Sequence, residues 1–103
     1  MQNKVKKFNS EMKCHRKTMP VYARILDISS EMGELAKEYL KSTKYGTTDC
    51  AVNDEFIMEY GDVLYSILSL ANELGIDAEN SLDLAIQKYK NRIEKKNNMG
   101  SGN

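Results

Sequence analysis

The stretch 54–74 constrains this chain more than any other. Phe56, Ile57, Tyr60, Val63, Leu64, Ile67, Leu68, Leu70, Ala71 and Leu74 cover most of a helical circumference. Only a narrow stripe is polar: Glu55, Glu59, Asp62, Ser66, Ser69 and Glu73. A helix apolar almost all round has to be buried by other elements. Gly75 follows as a C′ glycine that ends it, and Asp49 or Asn53 can cap its start.

The remaining periodic segments are also helical, and strand signals are nearly absent. In 20–42, Val21, Ile25, Ile28, Met32, Leu35 and Tyr39 form a heptad-like stripe expected to face a core. Arg24, Asp27, Glu31, Glu34, Glu38 and Lys41 occupy the other side. Pro20 suits the first turn. A last helix over 78–95 has Asp77 as its N-cap and Leu82, Ile86, Tyr89 and Ile93 as its stripe. A weaker stripe of Val5, Phe8 and Met12 marks a helix within 3–17. Residues 43–49 read as a loop broken at Gly46.

These elements predict an all-α fold: an antiparallel helical bundle of about four helices in a single domain, 1–96. The tail, 97–103, is expected to be disordered. So short a chain cannot cover its central helix on every side, so oligomerisation is expected to complete the bundle.

Composition narrows the setting. The chain has 103 residues and a formal net charge of zero, which gives no footprint for nucleic-acid polymers or anionic membranes. No apolar run approaches the ~20 residues that span a bilayer. Met1-Gln2-Asn3-Lys4-Val5-Lys6-Lys7 leads into no apolar signal core. Cys14 and Cys50 lack metal spacing and read as reduced thiols, so a cytoplasmic protein is expected.

The chemistry lies in two acidic pairs at i,i+3 spacing, Glu31-Met32-Gly33-Glu34 and Glu59-Tyr60-Gly61-Asp62. Each pair aims two carboxylates from one helix face, at a cost of roughly 0.2–0.5 kcal/mol to an isolated helix. Acidic residues on a helix are commonly a solvated face, and that reading suits Glu31 and Glu34 taken alone. Glu59 and Asp62 lie on a helix expected to be mostly buried, where unpaired carboxylates carry a desolvation cost. Residues 54–74 contain no Lys or Arg to offset them. Four carboxylates without a partnering histidine suit a hard cation, Mg²⁺ or Mn²⁺. His15 lacks the spacing of a di-iron motif, and no EF-hand loop is present. Gly33 and Gly61 read first as sites of close helix packing, and also as room for a metal or phosphate beside the carboxylates.

With these blocks the chain resembles the MazG-type nucleotide pyrophosphohydrolases of the all-α NTP pyrophosphatase superfamily. The likeness rests on the two acidic pairs and their surroundings: Leu26-Asp27-Ile28-Ser29-Ser30 before the first, Ser42-Thr43-Lys44-Tyr45-Gly46, Val63-Leu64-Tyr65-Ser66-Ile67-Leu68 after the second, Ala71-Asn72-Glu73-Leu74-Gly75-Ile76-Asp77, and Lys88-Tyr89-Lys90-Asn91-Arg92. It covers about 20–94. The resemblance implies a homodimer or homotetramer that hydrolyses a nucleoside triphosphate to the monophosphate and pyrophosphate. It makes Glu31, Glu34, Glu59 and Asp62 the Mg²⁺ ligands, with Glu31 or Glu34 as the catalytic base. Lys88 and Arg92, at i,i+4 on one face, are expected at the phosphates, or else form a solvated basic helix end. Asn72 and Tyr45 are further substrate-binding candidates. Ser66 stands where some relatives carry an aromatic, which leaves the base preference open. Phosphoribosyl-ATP pyrophosphohydrolase is the neighbouring alternative. A nonenzymatic nucleotide-sensing or interaction module and a plain four-helix scaffold are the alternatives of other classes.

Overall fold

The computed structural model describes residues 1–12, 19–44 and 52–101, with side chains through residue 97. Four helices follow one another: α1 (Gln2–Glu11), α2 (Val21–Ser42), α3 (Asp54–Leu74) and α4 (Ala78–Ser101). The described residues contain no strand, so the chain is all-α. No helix among them is long and apolar enough to cross a membrane. Cys14, His15, Tyr45, Gly46, Asp49 and Cys50 lie outside the described residues.

Local chemistry sets the helix ends. The Asn53 side chain accepts a hydrogen bond from the Phe56 amide at 2.8 Å and caps α3. Gly75 takes the left-handed conformation, φ 68°, and the Ile76 amide closes back on the Ala71 carbonyl at 2.8 Å. Asp77 Oδ1 accepts from the Asn80 amide at 3.1 Å, which starts α4 two residues after the glycine turn. Pro20 is the extended N-cap of α2 rather than its first helical residue, with ψ at 155°. α4 continues past Lys95 to Ser101, into the stretch expected to be a tail.

Cross-helix pairs fix the packing. Arg24 meets Glu73, Asp27 meets Ser66, and the Tyr39 ring lies 6.4 Å from that of Phe56. Numbers rise along α2 as they fall along α3, so the two helices are antiparallel. α1 also runs antiparallel to α3. Gln2 lies at Asn72 and Ile76, while Asn9 lies at Ser69 and Tyr65. The Gln2 side chain donates to the Ile76 carbonyl at 2.6 Å and accepts from the Ala78 amide at 2.9 Å, tying α1 to the α3–α4 turn.

The α2 face turned toward α3 differs from the sequence expectation. Arg24 is buried, and Asp27, Glu31 and Glu38 are half-buried, whereas Ile25, Met32 and Tyr39 remain about half exposed. The seam is polar because α3 meets it with Ser66, which is 3% exposed; Ser69, 0% exposed, accepts from Asn9 of α1. The heptad-like stripe of α2 is split: Ile28 and Leu35 are half-buried and Tyr39 meets Phe56, while Val21, Ile25 and Met32 lie toward an open side.

The central helix is likewise less enclosed than its composition demands. Val63, Leu68 and Ala71 are buried, but Ile57, Tyr60, Ile67 and Leu74 are exposed on another side. Every apolar residue in the α4 stripe, Leu82, Ile86, Tyr89 and Ile93, is exposed. The radius of gyration is 18.3 Å, against roughly 13 Å for a compact chain of this length. Among the described residues, apolar side chains on α2, α3 and α4 therefore lack a covering layer.

Candidate metal centre

The α2–α3 seam brings both acidic pairs to one level. One carboxylate oxygen each from Glu31, Glu59 and Asp62 lies within 4.8 Å of the other two. Glu31 comes from α2; Glu59 and Asp62 come from successive turns of α3. Glu59 and Asp62 share a face through their i,i+3 spacing, and antiparallel packing sets Glu31 opposite them. Glu31 and Glu59 are half-buried, and Asp62 is exposed. Burial in a single chain is thus weaker than expected for Glu59 and Asp62, because the outer face of α3 is uncovered. Partial desolvation and crowding of like charge act together on Glu31 and Glu59.

Both glutamates register that crowding. Partial desolvation, then the charges of Asp62, Asp27, Glu59 and Glu34, push the Glu31 carboxyl above its ordinary pKa. Partial desolvation, then Asp62, Glu34, Glu38 and Glu55, do the same to Glu59. Among the described residues, every charged group acting on these two is an acid. The two salt bridges between described residues, Arg24–Glu73 and Lys41–Glu38, leave all four signature carboxylates out. Three convergent carboxylates without a nitrogen or sulfur donor fit a hard, oxygen-seeking divalent cation.

Glu34 is placed differently from the other three. It is exposed and outside the three-oxygen group, yet near enough for its charge to act on both Glu31 and Glu59. Gly33 and Gly61 do not mediate close packing in this chain. A Cβ at either position would meet nothing within 4 Å among the described residues. Both face open space beside the acidic residues, which is compatible with room for a ligand and with packing of a second chain.

The remaining candidates are spread over other surfaces. Lys88 and Arg92 are exposed and share one face of α4, in an open groove with Leu84, Gln87, Asn91 and Lys95. Lys88 Nζ lies 5.2 Å from the centre of the Tyr89 ring. Asn72 donates its side-chain amide to the Gln2 carbonyl at 3.2 Å, on the side of α3 that meets α1. Tyr45 lies outside the described residues. Tyr65, beside the position where some relatives carry an aromatic, packs edge-on to Phe8 with ring centres 6.0 Å apart and donates its hydroxyl to Asn9.

Asp27 is the residue that the sequence reading left out of the site. It lies one turn before Glu31, acts on that carboxyl through its charge, and accepts a hydrogen bond from Ser66 at 3.2 Å. The i,i+4 relation to Glu31 was the available signal.

Residues 22–96 match the MazG nucleotide pyrophosphohydrolase domain. The match takes in α2, α3 and most of α4, with both acidic pairs, and the chain belongs to this family. It is also similar to the uncharacterized protein YpjD of Bacillus subtilis (strain 168), 35% identical over 74 residues. That alignment covers 68% of this chain and 64% of YpjD, so the chain spans less than two thirds of that relative's length. No solved structure gives a significant match.

Proposed function

We propose that this chain hydrolyses a nucleoside triphosphate to the monophosphate and pyrophosphate with Mg²⁺ or Mn²⁺, clearing surplus or noncanonical nucleotides from the cytoplasm. The observation that carries this reading is the convergence of Glu31, Glu59 and Asp62 from the two signature helices within 4.8 Å. Membership of a pyrophosphohydrolase family supports the reaction class.

Glu31, Glu59 and Asp62 are the residues that would hold the cation, with Glu34 at the edge of the same group. A bound divalent ion supplies charge neutralisation at the triphosphate and acidifies a water. Glu34 is the better placed of the two candidate bases, since it lies outside the three-oxygen group and is open to solvent. It would take the proton of a water whose oxygen attacks the α-phosphorus. The bond from that phosphorus to the bridging oxygen breaks, and pyrophosphate leaves. Lys88 and Arg92 are the cations offered to the phosphates from the exposed face of α4.

The uncovered apolar stripes of α2, α3 and α4 support assembly as a homodimer or homotetramer. Incubation of NTPs and dNTPs with the protein and Mg²⁺ should release monophosphate and pyrophosphate. The reading fails if neither wild type nor Glu59→Gln turns over any nucleotide. Release from phosphoribosyl-ATP alone would move the assignment to that neighbouring activity.

A further inference from the structure

One turn away from the three carboxylates, the same seam carries a second contact between α2 and α3. Ser66 Oγ donates to Asp27 Oδ2 at 3.2 Å. Ser66 is 3% exposed, so its hydroxyl is aimed inward, and Asp27 is half-buried. In sequence, Asp27 precedes Glu31 by four residues and Ser66 follows Asp62 by four. Each partner thus lies on the same helix face as a member of the cluster and one turn from it.

The need for such a contact follows from the charges. Glu31 on α2 opposes Glu59 and Asp62 on α3, and among the described residues only acids act on Glu31 and Glu59. Like charge at that level pushes the helices apart. The next stabilising pair along the seam, Arg24–Glu73, is a further turn away from the cluster.

We infer that Ser66 and Asp27 are positioning residues: their hydrogen bond fixes the register and spacing of α2 against α3, so that Glu31 faces Glu59 and Asp62 closely enough for one cation. The inference rests on the proposed metal reading of the cluster. Asp27 acts as an acceptor here rather than as a further ligand, and Ser66 matters for its hydroxyl rather than its size.

Mn²⁺ titration of the 103-residue chain, followed by electron paramagnetic resonance, tests this with four proteins: wild type, Ser66→Ala, Ser66→Thr and Asp27→Asn. Thermal unfolding of each is followed in parallel. Ser66→Ala should weaken Mn²⁺ binding about tenfold, the lower end for residues that orient metal ligands. Ser66→Thr keeps the hydroxyl and should restore affinity. Asp27→Asn keeps the acceptor and should stay closer to wild type than Ser66→Ala. Unchanged affinity in Ser66→Ala, even with a lowered melting temperature, would make the bond purely structural and overturn the inference. A larger loss in Asp27→Asn than in Ser66→Ala would also overturn it, because charge and not register would then be the contribution. Absence of Mn²⁺ binding by wild type would instead overturn the metal reading, and this inference with it.

Discussion

Arg24 on α2 spans the seam to Glu73 on α3, donating Nε and Nη2 to the same carboxylate oxygen at 3.2 and 2.9 Å. The Arg24 side chain is 9% exposed and that of Glu73 is 30% exposed. Removing the carboxylate would strand a buried guanidinium, which costs 3–5 kcal/mol when a pair is fully buried. Partial exposure of Glu73 lowers that figure. Glu73→Ala should destabilise the fold by about 1–3 kcal/mol in urea unfolding. Replacing both residues, Arg24→Met with Glu73→Leu, should recover most of that loss.

The acidic group gives the opposite sign. Glu59→Gln removes one of three like charges and should leave stability unchanged or raise it slightly. The same change should lower nucleotide turnover by at least about a hundredfold, the scale on which removal of a transition-state electrostatic contact is felt. Unfolding curves and pyrophosphate release on one preparation check both. A variant that loses stability together with activity would make Glu59 a structural residue.

Glu31 and Glu59 both have pKa values raised in the folded chain. The folded state therefore holds protons that the unfolded state has already released, within the interval between the two pKa values. There, stability falls as pH rises. The metal-free protein should gain stability on acidification through that interval, from just above the ordinary carboxylate range down into it. Mg²⁺ should cancel the gain by compensating the ionised carboxylates, and its own stabilising effect should vanish at the acid end. Melting temperature against pH, with and without Mg²⁺, measures both effects.

How far the sequence carried can be judged residue by residue. The boundaries of α3, its Asn53 cap and its Gly75 stop follow from local chemistry, and the structure reproduces them. Glu31 meets Glu59 and Asp62 through helical spacing and antiparallel packing, both readable in the sequence, whereas the position of Glu34 outside that group was not. Nor was the rotation of α2. An apolar stripe shows which face avoids water, but not whether its partner is in the same chain. Here polar pairs, Arg24–Glu73 and Asp27–Ser66, join α2 to α3, while Ile25 and Met32 remain open. Gly33 and Gly61 carry the same ambiguity: a glycine marks available space without naming what uses it.

That space can be tested directly. A Cβ at Gly33 or Gly61 meets nothing within 4 Å, and alanine is favoured over glycine by about 0.8–1 kcal/mol in a helix interior. Gly33→Ala and Gly61→Ala should each stabilise the metal-free chain by up to about that amount. Should the variants also lose turnover at unchanged Mn²⁺ affinity, substrate passes close to the glycine. If they lose stability instead, a second chain packs against these positions.

The exposed stripe of α4 provides the final prediction. Leu82, Ile86, Tyr89 and Ile93 recur at helical spacing, and all four are more than 40% exposed. An amphipathic helix gains its stability chiefly by burying such a face, yet the described chain offers this one nothing to pack on. A second copy carries the same kinds of stripe on α2 and α3, and a symmetric assembly would cover all three at once. Each of these side chains contributes roughly 1.5–3 kcal/mol when taken out of water, so a charge in the middle of the stripe should be decisive. Ile86→Glu should shift the protein to monomer in light scattering at micromolar concentration and reduce its helical signal, as α4 loses its support. The exposed polar change Gln87→Glu, one residue away, should do neither. A wild type that is monomeric at every concentration would mean that these stripes are covered by some other partner.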